Sequence, residues 1–243
     1  MNIYQPNPDF VIPCIWDFSY RFNSLYRHWQ FSKDSIVDYT KKVSETPDRI
    51  LKNYEAEKLN YFKEKETGIL HDRETSMLYE SDWSEELLLV HYENEHSDIE
   101  YFPEFLKGSI LSMSLSLLET LLEDLSVEIA RDLDISVELP TQGSFLQRYL
   151  KWFDRSCGLT IELTKENKKN FMAIGAVRNK YIHKLDRDLP EDIRRIIHKM
   201  VKPEENEVIN FAFIEKAFEE ITQLIEKLES GYEKFYKSLK TKD

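Results

Sequence analysis

Only six glycines interrupt 243 residues, while leucine, glutamate, lysine and isoleucine recur throughout. A chain with so few residues that accept a left-handed backbone makes few tight turns, so long helices are favoured over a hairpin-built sheet. The expected fold class is all-α. A hydrophobic share of 41% supplies a real core at this length, in one large domain or two small ones.

Apolar residues recur at helical spacing from Pro103 onward, in SILSMSLSLLETLLEDLSVEIARDL, GSFLQRYLKWFDRSCGL, NKKNFMAIGAVRNKYIHKL, DIRRIIHKM and FAFIEKAFEEITQLIEKLESGYEKFYKSL. Connections between them are short, which predicts a helical bundle over 101–243. Asp188 is the expected N-cap of the fourth helix, with Pro190 in its first turn and Glu191 at the capping-box position. Asn210 is the expected cap of the last.

Residues 1–100 read as an N-terminal helical extension, a regulatory or dimerising arm. Its start, to about Phe31, is rich in aromatics (Trp16, Phe18, Tyr20, Phe22, Tyr26, Trp29) and suits a packed helix or an anchoring segment. A charged, helix-prone stretch follows, restarted at Thr46-Pro47 and turned at Thr67-Gly68, and Leu51, Tyr54, Lys58 and Tyr61 form a narrow face suited to a hairpin or coiled-coil-like arm. The polar run HYENEHSDIE predicts the boundary with the bundle.

A net charge of −12 argues against a broad coat for nucleic acid. The average hides an asymmetry: between Lys165 and Lys202 eleven Lys/Arg stand against five Asp/Glu. Two cysteines, Cys14 and Cys157, allow at most one bridge, and no Cys/His spacing suits zinc, so a reduced, cytoplasmic setting without metal or cofactor is expected. The N-terminus lacks signal-peptide character and no apolar run is read as long enough to span a bilayer. A phosphate-cradling glycine loop is also missing, which argues against nucleotide use.

The basic window contains VRNKYIHKL, residues 177–185. On a helical wheel Ile174, Val177, Tyr181 and Leu185 share a core stripe widened by Phe171 and Ile182. Asn179 and His183 form an i, i+4 pair on another face beside Met172 and Ala176. Arg178 sits at the stripe's edge, about 140 degrees from His183, within reach of a shared cleft. Gly175 and Ala176 leave room for a ligand or another backbone, which a plain solvent face does not need. The plainer alternative is a polar helix surface with a solvated His183 and an ion-paired Arg178.

Arg178, Asn179 and His183, in the third helix of such a bundle, resemble the Arg-polar-x3-His signature of the HEPN superfamily ribonucleases, over about Pro103 to Leu239. The resemblance implies a metal-independent endoribonuclease that uses the RNA's own 2′-OH and leaves a 2′,3′-cyclic phosphate and a 5′-OH. His183 would move protons, Arg178 would stabilise phosphorane charge, and Asn179 would orient the imidazole or bind phosphate. One histidine does not easily serve as both base and acid, so the resemblance implies a homodimer with a composite cleft. The setting it implies is a toxin or anti-phage defence effector, with an antitoxin or regulatory protein as a possible partner and no membrane.

Some HEPN toxins add a glutamate from the earlier long helix, about sixty residues before the arginine, and Glu119 holds that position here. Among leucines 117, 118, 121 and 122 it would be semi-buried and would need a partner such as Arg178 or His183. Its alternative is a helix-edge glutamate. One toxin subgroup carries a modifiable tyrosine two residues after the histidine, where this chain has Leu185. His71, His91 and His96 suit solvated positions, His198 suits a helix surface, and Cys157 suits a buried thiol. The competing function is a non-catalytic helical protein-interaction module.

Overall fold

The computed structural model describes residues 2–44, 52, 56, 63, 85–183, 189–201 and 210–240, with the backbone alone at 42–44, 85–101 and 181–183. Six helices make up the described elements: α1 Pro13–Ser44, α2 Glu85–Leu133, α3 Phe145–Cys157, α4 Lys165–His183, α5 Glu191–Met200 and α6 Phe211–Lys240. The all-α expectation holds. The features read at Thr46-Pro47, Leu51, Tyr54, Tyr61, Thr67-Gly68 and His71 lie outside the described residues.

The chain divides into two compact units, Met1–Phe31 with Leu106–Asp243, and Ser32–Phe105. The first therefore contains the thirty-one residues that the sequence assigned to an extension, and aromatic packing is the reason. Phe18 stacks on Phe22 at 4.9 Å, Phe22 and Tyr26 each meet Phe218 of α6 at 5.2 Å, and Trp29 meets Phe211 at 5.5 Å. Such ring pairs add to the area that the aromatics bury. Asn23 of α1 ties down the segment that precedes the helix: its Oδ1 accepts from the Ile3 and Tyr4 amides at 2.8 and 3.1 Å, and its Nδ2 donates to the Tyr4 carbonyl at 2.6 Å. Glu229 of α6 then accepts from the Tyr4 hydroxyl and the Asn7 amide at 2.8 and 2.7 Å.

The second unit contains Ser32–Ser44 of α1 and Glu85–Phe105 of α2, with Ile36 buried. The run HYENEHSDIE, where the boundary with the bundle is expected, is helical, because α2 runs unbroken through it and through Pro103. That run is polar but holds neither glycine nor proline, so nothing in its backbone chemistry ends a helix. His91 and His96 thus stand on helical backbone.

Within the first unit Leu115, Leu118, Leu122, Leu125 and Ile129 of α2 meet Phe213, Ile214, Phe218, Ile221, Leu224 and Ile225 of α6 in one apolar core. The stretch Phe102–Leu133 is, by length and composition, long and apolar enough to cross a membrane, and half of that apolar window is buried in the protein. This corrects the expectation that no run reaches that length. The leucines that make it apolar are those that pack the core, and a core helix meets the same criterion.

Local chemistry sets the ends of the shorter helices. Ser144 and Gln147 form a reciprocal capping box at the start of α3. At its end Gly158 takes the left-handed conformation, φ 69°, and lets the Leu159 amide return to the Phe153 carbonyl at 2.8 Å. Asn210 caps α6 as expected, its Oδ1 accepting from the Phe213 amide at 3.0 Å. The cap of α5 is a correction: the helix begins at Glu191 after Pro190, which makes no side-chain cap, whereas Asp188 lies outside the described residues. Leu189 is buried and its carbonyl accepts from Arg194 Nε at 2.9 Å, so the chain is anchored one residue ahead of the proline. His198 is exposed, as expected of a helix surface.

Two helical glycines behave oppositely. A Cβ at Gly231 would come within 2.7 Å of Ile161 Cδ1, whereas a Cβ at Gly175 meets nothing within 4 Å. Replacing Gly175 by alanine is expected to raise stability by about 0.5–1 kcal/mol through lower unfolded-chain entropy and better helix propensity. The Gly231→Ala change should gain less than this, since the tip of the Ile161 side chain must move aside. Parallel urea melts compare the two, and equal midpoints for both variants would contradict the packing described.

Candidate functional site

Helix α4 carries most of the site, and its start is fixed by side chains. Thr164 Oγ1 accepts from the Asn167 amide at 3.0 Å while Asn167 Oδ1 accepts from the Thr164 amide at 3.3 Å, a capping box with asparagine in the usual Glu/Gln place. Asn167 and Asn170 then turn inward to Glu220 of α6, donating through Nδ2 at 2.9 and 2.8 Å. Ala173, Ile174 and Val177 are fully buried beyond them. The core stripe expected from the wheel thus exists at Ile174 and Val177 and extends backward through two asparagines, while the side chains of Tyr181 and Ile182 and all of Leu185 lie outside the description.

The other side of α4 opens on a cleft of about 1060 Å³. Glu119 enters it from α2, Arg148, Lys151 and Asp154 from α3, and Lys168, Met172, Gly175, Ala176, Arg178 and Asn179 from α4. Four cations face two carboxylates there, a local positive bias in a chain of net charge −12. Gly175 and Ala176 form part of the wall, and the empty space around Gly175 is what keeps that wall low.

Three of the four expected site residues therefore share one cleft: Glu119, Arg178 and Asn179. The fourth, His183, is the last residue of α4, one helical turn beyond Asn179, and its side chain lies outside the description. Arg178 Nη1 donates to Asn179 Oδ1 at 3.5 Å, a long contact that leaves most of the guanidinium free for another acceptor. Among the described residues no ion pair joins Glu119 to Arg178.

One feature of the cleft escaped the sequence. The Nε atoms of both Arg148 and Arg178 are buried without a hydrogen-bond acceptor. A buried donor left unpaired on a charged group costs stability, so two in one cleft need a reason. Burial pushes the Tyr149 phenol up, Glu123 and Glu119 add to the shift, and the charge of Arg148 opposes it. The only signal in the sequence was a lone arginine at the edge of the apolar stripe Leu146, Tyr149, Trp152 and Phe153.

Neither cysteine takes part. Cys157 is buried, and burial pushes its thiol up to about 11. Cys14 is pushed up to about 12 by burial and then by Glu128, to which its Sγ donates at 3.5 Å. Thiolate is the reactive form, so native protein at pH 8 should react with a thiol reagent far more slowly than urea-unfolded protein. The sign for stability follows: a raised pKa favours folding fully below the ordinary thiol value, and that contribution fades as pH rises from about 9 toward 12. Rapid labelling of two thiols in native protein at pH 8 would refute this.

Comparisons with protein-family models, curated proteins and solved structures find no match to this chain.

Proposed function

We propose that this cleft is one half of a composite active site in a metal-independent endoribonuclease of the HEPN type, acting as a homodimer. The observation that carries the reading is the meeting of Glu119, Arg178 and Asn179 in an electropositive cleft beside α4, the helix that also carries His183 one turn beyond Asn179. In the proposed reaction the RNA 2′-oxygen attacks the adjacent phosphorus, forming the P–O2′ bond while the P–O5′ bond breaks. One histidine takes the 2′-OH proton and its counterpart from the second protomer protonates the departing 5′-oxygen. The Arg178 guanidinium offsets charge on the phosphorane oxygens, and Asn179, within hydrogen-bond range of Arg178, helps hold it in place. Glu119 reaches the same cleft and serves as an electrostatic positioner of the cations.

The biological setting that we infer is a cytoplasmic toxin or anti-phage effector, held in check by an antitoxin or regulatory protein. Incubating purified protein with labelled RNA in EDTA tests the chemistry. Cyclic-phosphate ends that disappear in His183→Ala and Arg178→Ala support it, whereas equal residual cleavage in both variants marks a contaminant. The competing reading, a helical interaction module, draws on the exposed aromatics Trp16, Tyr20 and Phe31 of α1. It predicts intact RNA under the same conditions.

A further inference from the structure

From the two unpaired arginine donors we infer that Arg148 is a second phosphate-binding residue of the cleft, gripping the RNA backbone from α3 while Arg178 grips it from α4. The inference rests on the ribonuclease reading for the identity of the ligand, but not for the existence of an anion site.

The two guanidinium groups come from different helices and line the same cleft. Each has its Nε buried away from any acceptor in the protein. With Nε packed away from solvent, the outer nitrogens of each guanidinium are the donors left to meet a ligand in the cleft, and among the described residues no hydrogen bond or ion pair engages those of Arg148. The carboxylates lining the cleft, Glu119 and Asp154, do not fill that need: among the described residues neither forms an ion pair with Arg148, and Asp154 Oδ1 instead accepts from Thr160 Oγ1 at 2.6 Å. Lys151 lies one turn ahead of Asp154 on α3 and Lys168 faces from α4, so the positive field continues to both sides of the arginines. A phosphodiester, with two non-bridging oxygens, matches two forks approaching from separate walls.

Position on α3 makes this arrangement rigid. Tyr149, Trp152 and Phe153 bury that helix in the core, and the Ser144 capping box fixes its start four residues before Arg148. The guanidinium is thereby held over the cleft by a helix that has little freedom to shift.

The test is binding of a fluorescent, fully 2′-O-methylated RNA oligonucleotide, which has no free 2′-OH to react, across a salt series, beside cleavage of the unmodified strand. Arg148→Ala should weaken binding about tenfold, raise KM with kcat largely kept, and lower the log–log salt slope by about 0.7, the loss of one single-strand phosphate contact. Arg148→Lys should restore part of the affinity and most of the slope. Arg155→Ala removes an exposed charge of the same helix outside the cleft and should leave both unchanged. Cleavage by the native protein with an unaltered salt slope in Arg148→Ala would overturn the inference and leave the ribonuclease reading standing. Salt-dependent binding that needs Arg148, with no cleavage by the native protein, would sustain the inference and sink that reading. No binding by the native protein overturns the inference outright.

Discussion

A His183→Ala variant is expected to lose RNA cleavage by roughly 10²–10⁴-fold, the range that a positioned general acid–base group contributes. Arg178→Ala should lose about 10²–10³-fold, because a donor aimed at developing phosphorane charge acts mainly in the transition state. The two losses should fall on kcat rather than on KM, which separates them from the Arg148 effect. Asn179→Ala should cost less, since its contact to Arg178 is a long 3.5 Å and at most helps hold that side chain. Glu119→Gln keeps the shape of the side chain while removing its charge, and a modest change there would fit an electrostatic role at the cleft wall. EDTA should change none of these rates. Two histidines with opposite protonation needs should give a bell-shaped pH profile, and a profile rising monotonically through pH 9 would argue against paired acid and base.

What could be read in advance followed from local chemistry. α3 was expected over 143–159 and occupies Phe145–Cys157, since Ser144, Gln147 and Gly158 write both ends into adjacent residues. α6 was expected over 211–239 and runs Phe211–Lys240, fixed by Asn210 and an uninterrupted apolar period. What could not be read depended on residues far apart in the chain. The aromatics before Phe31 could equally have met a partner, and only Phe211 and Phe218, about 190 residues away, decide that they join the bundle. The polar run 91–100 suggests a boundary by its composition, yet it lacks the backbone breakers that would end a helix there, and α2 continues through it. In the site, Glu119, Arg178 and Asn179 were visible through a motif and a spacing, whereas Arg148 belongs to no pattern. Its importance lies in a donor left vacant by folding, which no one-dimensional reading contains.

The second large effect is expected at Glu220, which lies outside the cleft lining. This residue is 3% exposed, and its two carboxylate oxygens accept from Asn167 and Asn170 of α4 at 2.9 and 2.8 Å. Lys216 Nζ lies 3.9 Å from Oε1, and Lys227 Nζ donates to Asn167 Oδ1 at 3.1 Å, so the group ties α4 to α6 at several points. Glu220→Ala removes both acceptors at once and leaves two buried amide groups without partners, a cost of roughly 2–4 kcal/mol. Glu220→Gln should cost less than alanine, because one carbonyl oxygen still accepts while its NH₂ faces an amide donor. Joining Glu220→Ala with Asn170→Ala should cost less than the sum of the two, since the second change removes a group that the first had stranded. Strict additivity in denaturant melts would mean that the cluster is not a coupled unit. The consequence for the cleft follows from geometry. Asn167 and Asn170 set the rotation of α4, and Arg178 lies about three and two turns further along the same helix, about 20 degrees round from Asn167 and about 80 degrees from Asn170, so loosening the clamp lets the guanidinium drift from its seat. Glu220→Ala protein that remains folded at low temperature is therefore expected to cleave RNA more slowly than its stability alone would dictate, and full native kcat in that variant would show that α4 keeps its rotation without the clamp.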